Sequence, residues 1–87
     1  MIFRKNGKIL FERFGTRTLI LDLKKNLPYV LNNVAANVLI KTDGIKDLNT
    51  ITREICAEYD VEYSRAIKEI EGLYDEFRSK GLVTRTA

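Results

Sequence analysis

The sequence has no histidine, a single cysteine, a single proline and no apolar run long enough to span a bilayer. The missing histidine excludes Ser-His and Cys-His nucleophile pairs. One cysteine without histidine closes neither an intrachain disulfide nor a structural zinc site. A spanning helix needs about 20 apolar residues, and nothing here approaches that. The N-terminal "MIFRKNGKILFERF" lacks the apolar stretch and small-residue cleavage site of a signal peptide, so the expected location is cytoplasmic. No metal, cofactor or catalytic residue is expected.

The chain has 87 residues, of which 45% are hydrophobic, as in an ordinary globular domain. That length suits one domain, residues 1–87, with a small core. The charge is uneven. Residues 1–31 hold seven basic and two acidic side chains, whereas residues 32–87 hold eight basic and ten acidic. A basic front end suits an anionic partner, either nucleic acid or an acidic peptide.

Two alternating runs, Lys8–Phe14 and Arg17–Leu23, flank Gly15-Thr16 and predict a tight hairpin. Leu19, Leu21 and Leu23 share one face of the second run; Thr18, Ile20 and Asp22 share the other. The turn Lys24–Asn26 leads to a third run, Leu27–Leu31, completing an antiparallel meander over 8–31. After Asn32 the apolar period becomes helical, and three helices are expected over 33–81. The first runs from an Asn N-cap to Gly44, and the second carries Leu48, Ile51, Ile55 and Tyr59 on one face. The third has a core stripe of Ala66, Ile70, Leu73 and Phe77, with Tyr63, Ile67 and Tyr74 beside it, and ends at Gly81. Gly72 interrupts this helix where close packing is one reason for a glycine. Leu82–Thr84 suits a short last strand, and residues 85–87 are expected to fray. The fold class is α+β: a winged helix-turn-helix-like domain with a three-stranded antiparallel sheet followed by three helices.

Few constellations point to chemistry. Glu69, Glu71, Asp75 and Glu76 sit on the polar side of an amphipathic helix and read as a solvated face. Cys56 lacks the base that would activate it and reads as a small hydrophobe. A winged-helix-like fold with an alkaline pI raises DNA binding. Its recognition helix would be residues 62–78, with three basic and five acidic residues, a poor match to a wall of phosphates.

The stretch "NLPYVLNN" is the most informative. Proline has no N–H for a sheet ladder, so Pro28 marks Leu27–Leu31 as an edge strand. The run is apolar on both faces, which soluble proteins avoid leaving open. Either a helix or a second copy covers it, or an extended peptide adds to it as a further strand.

The run "YVLNNVAANVLIKTDGIKDLNTITREICAEYD", followed by an amphipathic helix and "KGLV", resembles the PqqD-like family, small proteins first named for coenzyme PQQ biosynthesis. The resemblance rests on "LN" at 31–32, Ala35–Ala36, Leu39–Ile40, "DG" at 43–44, Thr50, Glu54–Ile55, Tyr59 and the Gly-Leu-Val close at 81–83. It covers roughly residues 8–84. It implies a domain that performs no chemistry, a RiPP recognition element (RiPPs are ribosomally made, post-translationally modified peptides). Such a peptide chaperone binds the leader of a precursor peptide and presents it to a modifying enzyme of a radical SAM or lasso-type pathway. Carried onto this chain, the leader would lie along Leu27, Pro28, Tyr29, Val30 and Leu31, beside a helical ridge of Ile67, Glu71, Tyr74 and Arg78. The third helix carries two tyrosines, so an aromatic groove is expected. Lys24, Lys25 and Arg78 would attract acidic leader residues. The alternatives are a DNA-binding winged helix, a structural accessory subunit docking its edge on an enzyme, and a homodimer formed by self-pairing of the edge.

Overall fold

The computed structural model describes residues 1–87. Strands β1 (Phe3–Lys5), β2 (Ile9–Phe14), β3 (Arg17–Asp22) and β4 (Leu27–Asn32) precede helices α1 (Asn33–Lys41), α2 (Leu48–Tyr59) and α3 (Tyr63–Ser79); strand β5 (Val83–Arg85) closes the chain. The main sheet is antiparallel in the order β2-β3-β4, and β1 pairs with β5 in a second, two-stranded sheet. The α+β, winged-helix-like class expected from the sequence is the one observed.

Each turn has its chemical cause. Gly15, at φ 57°, allows the two-residue connection between Phe14 and Arg17, with glycine first as a type II′ turn requires. The buried Asp22 accepts the N–H groups of Lys24 and Lys25 at 3.0 and 3.2 Å and so shapes the β3–β4 turn. Asn32 caps α1 by accepting from Ala35 N–H at 2.8 Å, and Asp47 caps α2 through Thr50 N–H at 2.8 Å. Helix α1 ends at Lys41, earlier than the Gly44 terminus expected. The reason is the buried Thr42, whose hydroxyl takes the Val38 carbonyl at 2.8 Å. The Lys5 ammonium reaches the carbonyls of Ile40 and Thr42, closing the end of α1 from outside.

The termini differ from the expected layout: β1 adds a strand before the meander, and residues 85–87 are paired rather than frayed. Phe3, Arg4 and Lys5 pair with Arg85, Thr84 and Val83, while Ile2 exchanges main-chain bonds with Thr86 and Ala87. The partners lie about 80 residues apart, so no local pattern announces them.

The core joins Phe3, Ile20, Val38, Leu39, Ile51, Ile55, Ile70, Tyr74, Phe77 and Leu82. Tyr74 stacks on Phe3 with centroids 4.3 Å apart and meets Phe77 edge-on at 6.0 Å. Its hydroxyl bonds to Thr42 Oγ1 at 2.6 Å, so the buried phenol is satisfied. Burial pushes its pKa up. Lys41 joins α1 to α2 through Glu58 at 2.8 Å and Glu54 at 3.1 Å.

The sheet turns its less apolar face inward. Thr18, Ile20 and Asp22 of β3 are buried, with Phe11, Tyr29 and Leu31 packed beside them. Leu19 and Leu21 point outward, between Leu10 and Phe14 of β2 and Val30 of β4, the last three more than half exposed. The outer face is therefore an apolar surface without a cover from this chain.

Candidate functional site

The ladder pattern fixes which groups of β4 remain free. Leu23 N–H donates to the Lys8 carbonyl, and Asn33 N–H donates to the Thr16 carbonyl. Bonded pairs alternate along antiparallel strands. Hence Thr18, Ile20 and Asp22 exchange bonds with Leu31, Tyr29 and Leu27, whereas Pro28 and Val30 stand opposite Leu21 and Leu19 without bonding across. The Pro28 carbonyl and both main-chain groups of Val30 therefore point to the open edge. The proline costs the ladder nothing, because its missing N–H would have faced outward.

Side chains follow the same alternation. Tyr29 and Leu31 face inward and are half-buried against the core, whereas Pro28 and Val30 face outward and are exposed. Leu27 belongs to the inward set but lies at the open end, 46% exposed.

Beside the C-terminal end of β4 opens a cavity of about 590 Å³. Asn32, Val34 and Ala35 bound it on one side, and Glu69, Gly72, Leu73 and Glu76 of α3 on the other; Tyr59 and Val61 close one end. A methyl group on Gly72 would meet no atom within 4 Å. Gly72 is thus not a close-packing glycine but a bare stretch of helix in the cavity wall. Farther along α3, the Lys80 ammonium lies 5.7 Å from the ring centroid of Tyr29, and Lys25 Nζ donates to the Lys80 carbonyl at 2.9 Å. The α3 side thus comes near β4 at two places, at the cavity beside Asn32 and where Lys80, just past the helix, lies over Tyr29.

The helical residues expected at the site do not border this cavity. None of Ile67, Glu71, Tyr74 and Arg78 lines the cavity. Tyr74 is buried in the core, Ile67 is half-buried against it, and Glu71 and Arg78 are exposed. At about 100° per residue, the Ile67–Glu71–Arg78 ridge lies roughly opposite the Glu69–Gly72–Glu76 ridge. Both ridges flank the core stripe, and helical spacing alone does not say which of them meets β4. Leu73 and Tyr74 also exchange places: the tyrosine is the core residue and the leucine borders the cavity. The cavity's tyrosine is Tyr59 of α2, not one from α3; Tyr63 instead donates to Asn49 at 3.0 Å. A glycine inside an otherwise amphipathic helix was the one signal in the sequence that pointed to this flank.

A second, polar cavity of about 500 Å³ lies at the other end of β4, lined by Arg4, Asn6, Gly7, Asp22, Lys24, Lys25 and Gly81. None of its cations has a carboxylate within ion-pair distance. Cys56 is a free, half-buried thiol on α2, and no helix is long and apolar enough to cross a membrane.

Comparison with solved structures finds the same fold twice. TbiB1 in complex with the TbiA(beta) leader peptide matches with a TM-score of 0.78 at 18% identity, over 97% of this chain and 98% of that one. Lasso peptide synthetase B1 complexed with the leader peptide matches with a TM-score of 0.77 at 20% identity, over 98% of this chain and 100% of that one. A comparison with curated proteins gives no match. The family model described as coenzyme PQQ synthesis protein D (PqqD) matches residues 17–83, from the start of β3 to the first residue of β5, and the chain belongs to that family.

Proposed function

We propose that this protein binds the leader segment of a ribosomally made precursor peptide and presents it to a modifying enzyme, without performing chemistry itself. The observation that carries the proposal is the open β4 edge: Val30 offers an unpaired N–H and C=O beside a 590 Å³ cavity with apolar and glycine walls. An extended peptide adds there as a fourth strand, antiparallel to β4. Its main chain pairs with Pro28 and Val30, and an apolar side chain enters between Val34 and Leu73. Leu27, Tyr29 and Leu31 support the strand from the core side. Two solved structures of the same fold, each complexed with a leader peptide, support this proposal. The expected affinity is micromolar, about −8 kcal/mol.

The modifying enzyme, from a radical SAM or lasso-type pathway, would meet the domain on the outer sheet face. Leu10, Phe14, Leu21 and Val30 expose apolar area there, continuous with the peptide-binding edge. An enzyme seated on that face would lie next to the captured peptide. Use of the same face or edge by a second copy would appear as a homodimer at high concentration. DNA binding is disfavoured: Glu62, Glu69, Glu71, Asp75 and Glu76 are all exposed on or beside α3.

The test is an NMR titration with the leader of a precursor peptide encoded beside the gene. Amide shifts concentrated on residues 27–34 and 69–80 are expected. Shifts scattered over the whole surface would overturn the proposal.

A further inference from the structure

The geometry points to a groove with two electrical poles, which selects the direction and the charge order of its peptide: an acidic side chain following the strand-forming segment enters the polar cavity lined by Arg4, Lys24 and Lys25. The inference rests on the peptide-binding proposal above. It adds a specificity site and the class of residue that fills it.

The two ends of the groove differ in charge. At the Asn32 end the α3 flank presents Glu69 and Glu76. At the Leu27 end stand Lys24, Lys25 and Arg4 around a cavity of about 500 Å³ with no apolar lining, and Lys80 lies over Tyr29. The one acid in that cavity, Asp22, is 4% exposed, and one of its oxygens is already committed to the Lys24 and Lys25 N–H groups. Lys25 donates to the Lys80 carbonyl, an uncharged partner that leaves its charge uncompensated. Glu69 is partly neutralised by Arg65 at 3.3 Å, but Glu76 has no cationic partner. The result is a cavity of about 500 Å³ with three cations in its wall and a single, largely buried carboxylate whose Oδ1 is held by the turn. A peptide carboxylate is the ligand that fits this chemistry.

Direction follows from the ladder. The whole sheet is antiparallel, and antiparallel addition is the more stable pairing. A peptide running antiparallel to β4 enters at Asn32, beside Glu69 and Glu76, and leaves at Leu27, beside the cations. The same peptide run in parallel would bring its acid to Glu76 and be repelled. Strand rise sets the spacing. From Asn32 to Leu27 the peptide advances five residues, so the acid follows the side chain in the 590 Å³ cavity by about five or six positions.

The test needs no known ligand. A display library of random 12-residue peptides would be selected on the full-length protein, on Lys24→Glu and on Val30→Pro. Lys24 is exposed and its side chain makes no hydrogen bond, so its reversal leaves the fold intact. The expected wild-type consensus is an aliphatic or aromatic residue followed five or six positions later by Asp or Glu. Synthetic consensus peptide should bind Lys24→Glu about three- to tenfold more weakly, with the difference shrinking at high salt. An apolar consensus without charge order, lost on Val30→Pro, would overturn this inference and leave the peptide-binding proposal standing. Selection that Val30→Pro does not diminish, or no selection at all, would overturn both.

Discussion

Pro28 stands opposite Leu21 at a position of the β3–β4 ladder where neither residue bonds across. The one residue of the chain that cannot donate a main-chain hydrogen bond thus sits where its missing donor would face the open edge. Two residues later, Val30 has the same orientation and keeps its donor.

That relationship predicts opposite outcomes for proline at neighbouring positions. Val30→Pro removes only the edge-facing N–H. It should leave the thermal midpoint nearly unchanged and weaken peptide binding about tenfold, the worth of one to two net hydrogen bonds. Leu31→Pro removes the donor to Thr18 inside the ladder and should destabilise the fold by about 3 kcal/mol. Calorimetric binding and thermal melts of both variants check this.

Gly72 separates stability from binding. Gly72→Ala meets no atom and should stabilise α3 by about 1 kcal/mol. Gly72→Leu would project into the cavity beside Leu73 and should cost more than tenfold in affinity without lowering the melting temperature. Gain of helix stability with loss of binding at a single position is the expected signature.

Thr42 and Tyr74 form a buried pair, and their truncations should not cost the same. Tyr74→Phe leaves Thr42 its bond to the Val38 carbonyl and should cost about 1 kcal/mol. Thr42→Val strands a buried phenol and should cost about 1–3 kcal/mol. Neither should change peptide affinity, because Tyr74 belongs to the core and not to the groove. Urea unfolding with parallel binding assays decides it.

Asp43, Asp47, Glu54 and Glu58 all contribute to the acid side of the stability profile, and Lys41 acts on the two glutamates. Hydrogen bonds from Lys41 come first among the causes that hold both carboxyls below their usual range. A depressed folded-state pKa contributes stability above the unfolded value, and that stability is lost as pH falls through the folded value. Stability should therefore decline as pH drops below the unfolded value of 4.5. Lys41→Met should flatten that decline, which melts across pH 3–6 would show.

Local patterns carried most of the fold. The Gly15-Thr16 turn, the period-two runs and the Asn cap of α1 are contacts between near neighbours, and each was legible. The β1–β5 pairing was not, because it joins Phe3 to Arg85. The buried face of β3 was also hidden: Leu19 and Leu21 are more apolar than Thr18 and Asp22, yet they point outward. The open edge of the sheet was readable from one proline. The helix residues named from spacing do not line the cavity, because spacing defines ridges but not which ridge borders an opening beside a strand 40 residues earlier.

The most direct test of the account is the exchange rate of one amide. In the free protein, Val30 N–H faces solvent and should exchange rapidly, while Leu31 N–H is protected by Thr18. With saturating leader peptide, the account predicts that Val30 exchange slows by at least about tenfold and that Leu31 changes little. Val30 exchanging at its free rate while the peptide is bound would contradict it.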